Sequence, residues 1–214
     1  MRIPLALRLK KKEHREIAFM QDEVVRSVYG LFEKAVLHGG TAIWRCFSGN
    51  RFSEDVDFIM PKKEKEKFSK FVSRLKANFQ IKKSCIEENA AYLVLSRNRR
   101  EIRLEATFRK ISGYIIADYE TADGTFLVVY TLSPEKLLLE KIDAYLARRK
   151  IRDLYDISFL LKFVQKNKAI ISALKKLISN YERPPDEPIL KALIYTGLAP
   201  SGKELIEMIK RWVR

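Results

Sequence analysis

The twenty-one residues from His38 to Phe58, HGGTAIWRCFSGNRFSEDVDF, decide how this chain is read. A short apolar run, Ala35 to Leu37, leads into them and reads as a buried strand. It ends at Gly39-Gly40, and Thr41 to Phe47 follow as a short helix. Two glycines let backbone come close to a ligand without side-chain obstruction. A helix that opens directly behind them presents unpaired N–H groups and the positive end of its dipole, which suits a phosphate. Val56 to Met60 then reads as the centre of a strand. Alternate strand residues face the same way, so Asp55 and Asp57 project together while Val56 packs behind. Paired carboxylates hold hard cations through oxygen, and magnesium prefers a couple of them completed by phosphates and water. A phosphate cradle and a metal clamp on adjacent elements are the equipment of in-line phosphoryl-type transfer. Gly-Gly alone marks ordinary turns, and a lone Asp-X-Asp is commonly an exposed polar pair. The signal is their combination across one short helix.

Upstream, Ile17, Met20, Val24, Val28 and Leu31 recur at helical spacing between His14 and Lys34. Downstream, Pro61 opens a helix to about Phe79, with Phe68, Phe71, Val72 and Leu75 on its inner face. Five strand-like segments follow: Gln80 to Ile86, Ala91 to Ser96, Ile102 to Phe108, Tyr114 to Tyr119 and Phe126 to Leu132. Asp123-Gly124 signals a tight turn before the last. From Ser133 the pattern is helical. Ser133 is a predicted N-cap, Pro134 takes the first helical position, and Glu135 favours the positive end of the dipole. Helices are expected from Arg152 to Val164 and Ala169 to Tyr181, then two short ones after Pro184, Pro185 and Pro188. The expected fold is α/β over residues 1–132, followed by an α-helical region over 133–214.

The chain has 214 residues and 47% hydrophobic content, enough for a real core. No apolar run approaches the roughly 18 residues of a bilayer span, and Met1 to Arg15 has no signal-peptide core. A cytoplasmic protein with no membrane partner is expected. Cys46 and Cys85 fit no ligand pair, and with His14 and His38 the only histidines a zinc site is not expected. Net charge is +15. Pro61 to Lys83 holds nine basic and two acidic residues, and Arg97 to Lys110 holds six and two. Such a field gathers polyanions, nucleic acid or nucleoside triphosphates, although a solvated basic surface needs no ligand at all.

HGGTA followed by RFSEDVDF resembles the glycine-containing, two-aspartate signature of the polymerase-β-like nucleotidyltransferases, in the form found in the AbiEii/AbiGii toxin family of type IV toxin–antitoxin systems. A second resemblance lies downstream in LSPEKLLLEKIDAYLARRKIRDLYDI, from Leu132 to Ile157, where a helix lysine precedes Arg-Asp-Leu-Tyr-Asp. The resemblance implies a polymerase-β-like nucleotidyltransferase domain with a mixed sheet and helices, and a helical C-terminal region contributing Lys141 and Asp153. It implies transfer of a nucleoside monophosphate from a triphosphate such as ATP onto RNA, including the tRNA 3′ end, with magnesium or manganese. A separately encoded antitoxin would oppose it. Gly39, Gly40 and Thr41 would cradle the triphosphate, Asp55 and Asp57 would hold the metal, and Arg51 and Ser53 would shape the approach. Lys141 would neutralise charge on the departing pyrophosphate. Asp153 would orient either Lys141 or the attacking hydroxyl.

Bland readings stand beside these. A lysine at a stripe edge, as Lys141 is, commonly snorkels into solvent. Asp153 and Asp156 suit an early helical turn for dipole reasons alone, with Arg152 pairing with either. A third carboxylate is common in such sites. In EIRLEATF, alternation puts Glu101, Arg103, Glu105 and Thr107 on one face; the resemblance favours Glu105, mid-strand in the family-like position, as the ligand, with Glu101 its rival. Two other functions are compatible with the fold: a small-molecule, antibiotic-type nucleotidyltransferase, and a catalytically inactive nucleic-acid-binding module.

Overall fold

A computed structural model describes residues 3–214. The chain divides into two compact units, one of residues 3–48 and 52–132, the other of 49–51 and 133–214.

The first unit opens with two helices, α1 (Leu5–Arg8) and α2 (Lys12–Tyr29), then β1 (Val36–His38), α3 (Gly39–Cys46) and β2 (Val56–Met60). A 3-10 segment, Lys62–Lys67, runs into α4 (Phe68–Leu75). Five strands complete the unit: β3 (Gln80–Ile86), β4 (Ala90–Arg97), β5 (Arg100–Phe108), β6 (Tyr114–Glu120) and β7 (Phe126–Leu132). All seven strands form one mixed sheet in the order β3-β4-β5-β2-β1-β7-β6. β2 lies antiparallel to β1 and parallel to β5, and β1 lies parallel to β7. The central strands alternate as the pattern predicts: Ile102, Leu104, Ala106 and Phe108 of β5 are buried, while Glu101, Arg103 and Glu105 are exposed. Phe32, Phe68, Phe71 and Phe108 meet in an aromatic cluster that fastens α4.

Two expectations are corrected here. The helix predicted from Pro61 to Phe79 begins as a 3-10 segment, because Lys62 to Lys67 offers no apolar residue to hold an α-helical face until Phe68. There Glu64 is buried and meets Lys67 three residues on, at 3.0 Å, a spacing at which 3-10 side chains eclipse. The helix predicted to Lys34 stops at Tyr29, and α1 was not legible at all.

The second unit is helical: α5 (Pro134–Arg148), α6 (Ile151–Leu160), α7 (Lys168–Ser179), α8 (Ile189–Leu193) and α9 (Gly202–Val213). Ser133 caps α5 as expected, its hydroxyl accepting from Lys136 N. The last helix has 12 residues and is not short, and Ser201 and Glu204 start it with a reciprocal capping box. Among the described residues, no helix is long and apolar enough to cross a membrane.

Candidate active site

One cluster of candidate residues forms where β1 ends, α3 begins and β2 starts. Gly39 follows His38 with φ of 72°, a left-handed conformation that favours glycine. Its missing side chain has a second reason. A Cβ there would intrude on the Oδ2 of Asp57 and lie 3.2 Å from its Cγ. The glycine turn and this carboxylate therefore touch. His38 and Asp57 are also direct partners across β1 and β2.

Asp55 sits one residue ahead of β2, and the loop that carries it is tied down from two sides. The buried Thr41 hydroxyl donates to the Asp55 carbonyl. From α2, the fully buried Gln21 donates through Nε2 to the carbonyls of Ser53 and Glu54, each at 2.9 Å. Thr41, expected to cradle phosphate, thus turns its hydroxyl inward and leaves its backbone for any ligand. Gln21 was missed. The signal was present, because a glutamine four residues after Ile17 lies on the apolar stripe of its helix.

Glu105 is the direct partner of Asp57 across β2 and β5, which puts both on one face of the sheet. Glu101 lies four residues, or roughly 13 Å, further along β5. Arg103 stands between them, its Nε 3.9 Å from Asp55 Oδ1. Both side chains are partly open to solvent, so this pair adds little to stability. Asp55 and Asp57 supply hard oxygen donors, and Glu105 a third within the same face. Among the described residues no group of three or more His, Cys, Asp or Glu is gathered tightly enough to hold a metal unaided. A two-carboxylate donor set left for phosphate and water to complete fits magnesium.

The second unit carries a separate constellation. Lys141 of α5 is buried, not solvated, and its Nζ lies 2.8 Å from Asp156 Oδ2 and 3.4 Å from Asp153 Oδ1. Arg51 grips Asp156 with two hydrogen bonds, Nε to Oδ1 at 2.9 Å and a terminal nitrogen to Oδ2 at 2.8 Å. Arg148 grips Asp153 likewise, at 2.7 and 2.9 Å. The arginines paired with these aspartates are thus Arg51 and Arg148 rather than Arg152. Three cations, Arg51, Lys141 and Arg148, meet the two carboxylates Asp153 and Asp156. Burial alone would raise the Asp156 carboxyl, but the adjacent Arg51 guanidinium and Lys141 ammonium outweigh it and hold it below the usual carboxylate range. Arg51 reaches this unit because residues 49–51 belong to it: Arg51 bridges to Ile194, and Tyr195 donates its hydroxyl to the Gly49 carbonyl at 2.6 Å.

Comparison with known proteins identifies the family and the fold. Residues 24–210 match the family described as nucleotidyl transferase AbiEii toxin, type IV TA system. MenT4, a nucleotidyltransferase toxin from Mycobacterium tuberculosis H37Rv, is similar over 98% of this chain and 90% of its own, with TM-score 0.61 and 16% identity. JHP933 from Helicobacter pylori is similar over 92% of this chain and 91% of its own, with TM-score 0.62 and 23% identity. At those identities the likeness shows a common fold. No curated protein is a match in sequence.

Proposed function

Because the chain belongs to the AbiEii nucleotidyl transferase toxin family, we propose that it is an enzyme moving a nucleoside monophosphate from a nucleoside triphosphate to an RNA acceptor, with magnesium or manganese required. The carrying observation is the contact between the left-handed Gly39 turn and the Asp57 carboxylate. It joins an anion-binding helix start to a cation-binding side chain. When bound, the metal supplies Lewis-acid stabilisation of charge on the phosphates.

In this reading the backbone of Gly39, Gly40 and Thr41 receives the triphosphate at the start of α3. Asp55 and Asp57 hold the metal, with Glu105 the third carboxylate. Gln21 and the Thr41 hydroxyl fix the loop from which Asp55 projects. Ser53 and Arg51 shape the approach. Residues 133–214 contribute Lys141 and Asp153: Lys141 neutralises charge as pyrophosphate leaves, and Asp153 holds Lys141 or orients the acceptor hydroxyl. The acceptor hydroxyl oxygen bonds to the α-phosphorus as the bond to the α–β bridging oxygen breaks, pyrophosphate leaves with that oxygen, and the hydroxyl proton passes to water. The net charge of +15 supports an RNA acceptor over a small molecule. A tRNA 3′ end is the first acceptor to try, and a separately encoded antitoxin is the expected opposing partner, both in the cytoplasm.

The test combines binding and turnover. Each nucleoside triphosphate with magnesium, near 100 times its Kd, should stabilise the protein by about 2.7 kcal/mol. For a chain of this size that raises Tm by roughly 5–10 °C. Asp55→Ala and Asp57→Ala should lose this increment while still folding, and should lose magnesium-dependent incorporation of labelled nucleotide into total RNA. An unchanged increment in both variants, or incorporation by Asp57→Ala at the wild-type rate, refutes the assignment.

A further inference from the structure

The β4–β5 end of the sheet carries a groove that the proposed chemistry does not use. It measures about 780 Å³ and is lined by residues of the α4–β3 connection and the β4–β5 turn. Its lining holds four cations, Lys76, Lys82, Arg97 and Arg99, against one carboxylate, Glu101. Arg97 is already committed: it pairs with Glu23 at 2.7 Å and lies over the Phe79 ring. Lys76, Lys82 and Arg99 are exposed and, among the described residues, have no ion-pair partner. Lys76 lies at the C-terminal end of α4, where a cation complements the helix dipole whether or not it binds anything. That does not extend to Lys82 or Arg99.

The turn itself adds an independent observation. Asn98 and Arg99 both have positive φ, 51° and 65°, and Arg97 and Arg100 close the hairpin around them. A two-residue turn of this kind favours glycine at its second position. Arginine there strains the backbone and places a guanidinium at the tip. A broken local rule of this sort marks places where a side chain is kept for what it binds.

The groove is also in line with the carboxylates. Glu101 lines it, and Glu101, Arg103 and Glu105 face the same way along β5, with Ser96 opposite Glu101 and Asp57 opposite Glu105. One sheet face therefore runs from the Asp57–Glu105 pair, past Arg103, to the basic groove. The glycine turn lies on the other side of Asp57, across β1. With the triphosphate entering over the glycines, the side open to the acceptor is β5.

We propose that this groove binds the phosphodiester backbone of a single-stranded RNA segment behind its reacting 3′ end, so that the acceptor enters along β5. The proposal rests on the nucleotidyl-transfer reading of Asp55 and Asp57. Its test is the salt dependence of binding of a fluorescein-labelled single-stranded RNA oligomer. The variant Lys76→Ala/Lys82→Ala/Arg99→Gly removes three charges, and its glycine relaxes the turn, which protects folding. Each single-strand phosphate contact contributes roughly 0.7 to the slope of log K against log salt, so the slope should fall by about 2. Between 1 M and 0.1 M salt that is about a 100-fold loss of relative affinity. The thermal shift with triphosphate and magnesium should be unchanged. Lys168→Ala/Lys175→Ala/Lys176→Ala on α7 removes equal charge from exposed positions and should keep the wild-type slope. A wild-type slope in the groove variant, or an equal fall in the α7 variant, overturns the groove and leaves the nucleotidyltransferase reading standing. Absence of both thermal shift and transfer in the wild type overturns the two together.

Discussion

Replacing Gly39 by alanine tests the contact on which the site is built. Two costs can be separated. The first is backbone strain, because a Cβ at φ of 72° costs about 1–2 kcal/mol. The second is local. The new methyl would overlap Asp57 Oδ2 and sit 3.2 Å from Cγ and 3.5 Å from Cβ of the same residue. Comfortable carbon contacts lie at about 3.5–4.0 Å, so the carboxylate must retreat by on the order of 1 Å. A displacement of that size at a reacting centre costs about 100-fold in rate. Gly197 provides the control. Its φ is 86°, and a Cβ there would meet nothing within 4 Å. Gly197→Ala therefore carries the strain without the collision. Both variants should lose roughly 2–8 °C in Tm, at 2–4 °C per kcal/mol for a chain of this length. Only Gly39→Ala should lose kcat, by about 100-fold, together with the triphosphate–magnesium thermal shift. The assay is incorporation of labelled nucleotide into RNA, beside melting curves with and without ligand. Equal activities in the two alanine variants would show that Asp57 does not act from the position beside the glycine turn.

Other outcomes follow from the same geometry. Gln21→Leu keeps the volume but removes both bonds to the Ser53 and Glu54 carbonyls, and should cost about 2–3 kcal/mol in urea denaturation while lowering transfer activity. A variant with lost stability and full activity would show that the loop needs no such tie. Asp156→Asn removes the charge shared by Arg51 and Lys141, and breaking a buried pair costs about 3–5 kcal/mol. Since the Asp156 carboxyl is held low in the folded protein, its contribution is present above the unfolded value near 4 and disappears as pH falls through the folded one. Acid denaturation curves of wild type and Asp156→Asn should therefore converge at low pH. Asp123 is held at about 2, chiefly by the Thr121 hydroxyl and then by the Thr125 backbone and side chain. Its stabilisation is full above about pH 4 and fades toward pH 2; allowing for solvent screening at this exposed turn, Asp123→Asn should cost about 1 kcal/mol at pH 7. A difference in urea midpoint that does not shrink between pH 5 and 2.5 would refute that account.

What could be seen in the sequence divides by range. The strand at Val56 to Met60, the alternation along β5 and the cap at Ser133 rest on periods of two and on one-turn chemistry, and local sequence contains both. The Gly39–Asp57 contact was inferable because one short helix separates the two. The buried ion network was not. Arg51 and Asp156 are 105 residues apart, and nothing near either announces the other. Lys141 at a stripe edge looked solvated because helical periodicity cannot tell a cation facing water from one facing two aspartates. Yet the spacing of those aspartates carried the clue. Asp153 and Asp156 are three apart and share one helix face, and so do Lys141 and Arg148 at seven apart. Two acids on one face of α6 and two bases on one face of α5, in helices joined by a two-residue connection, are charges set to meet. Arg51 completes the pairing, which is why a tripeptide from the middle of the first unit's sequence folds with the second. Burying four charges, Arg51, Lys141, Asp153 and Asp156, for a stability gain alone is a poor arrangement, since apolar residues of similar volume do as well or better. What an apolar replacement would lack is the buried Lys141 ammonium, the charge proposed to meet the departing pyrophosphate.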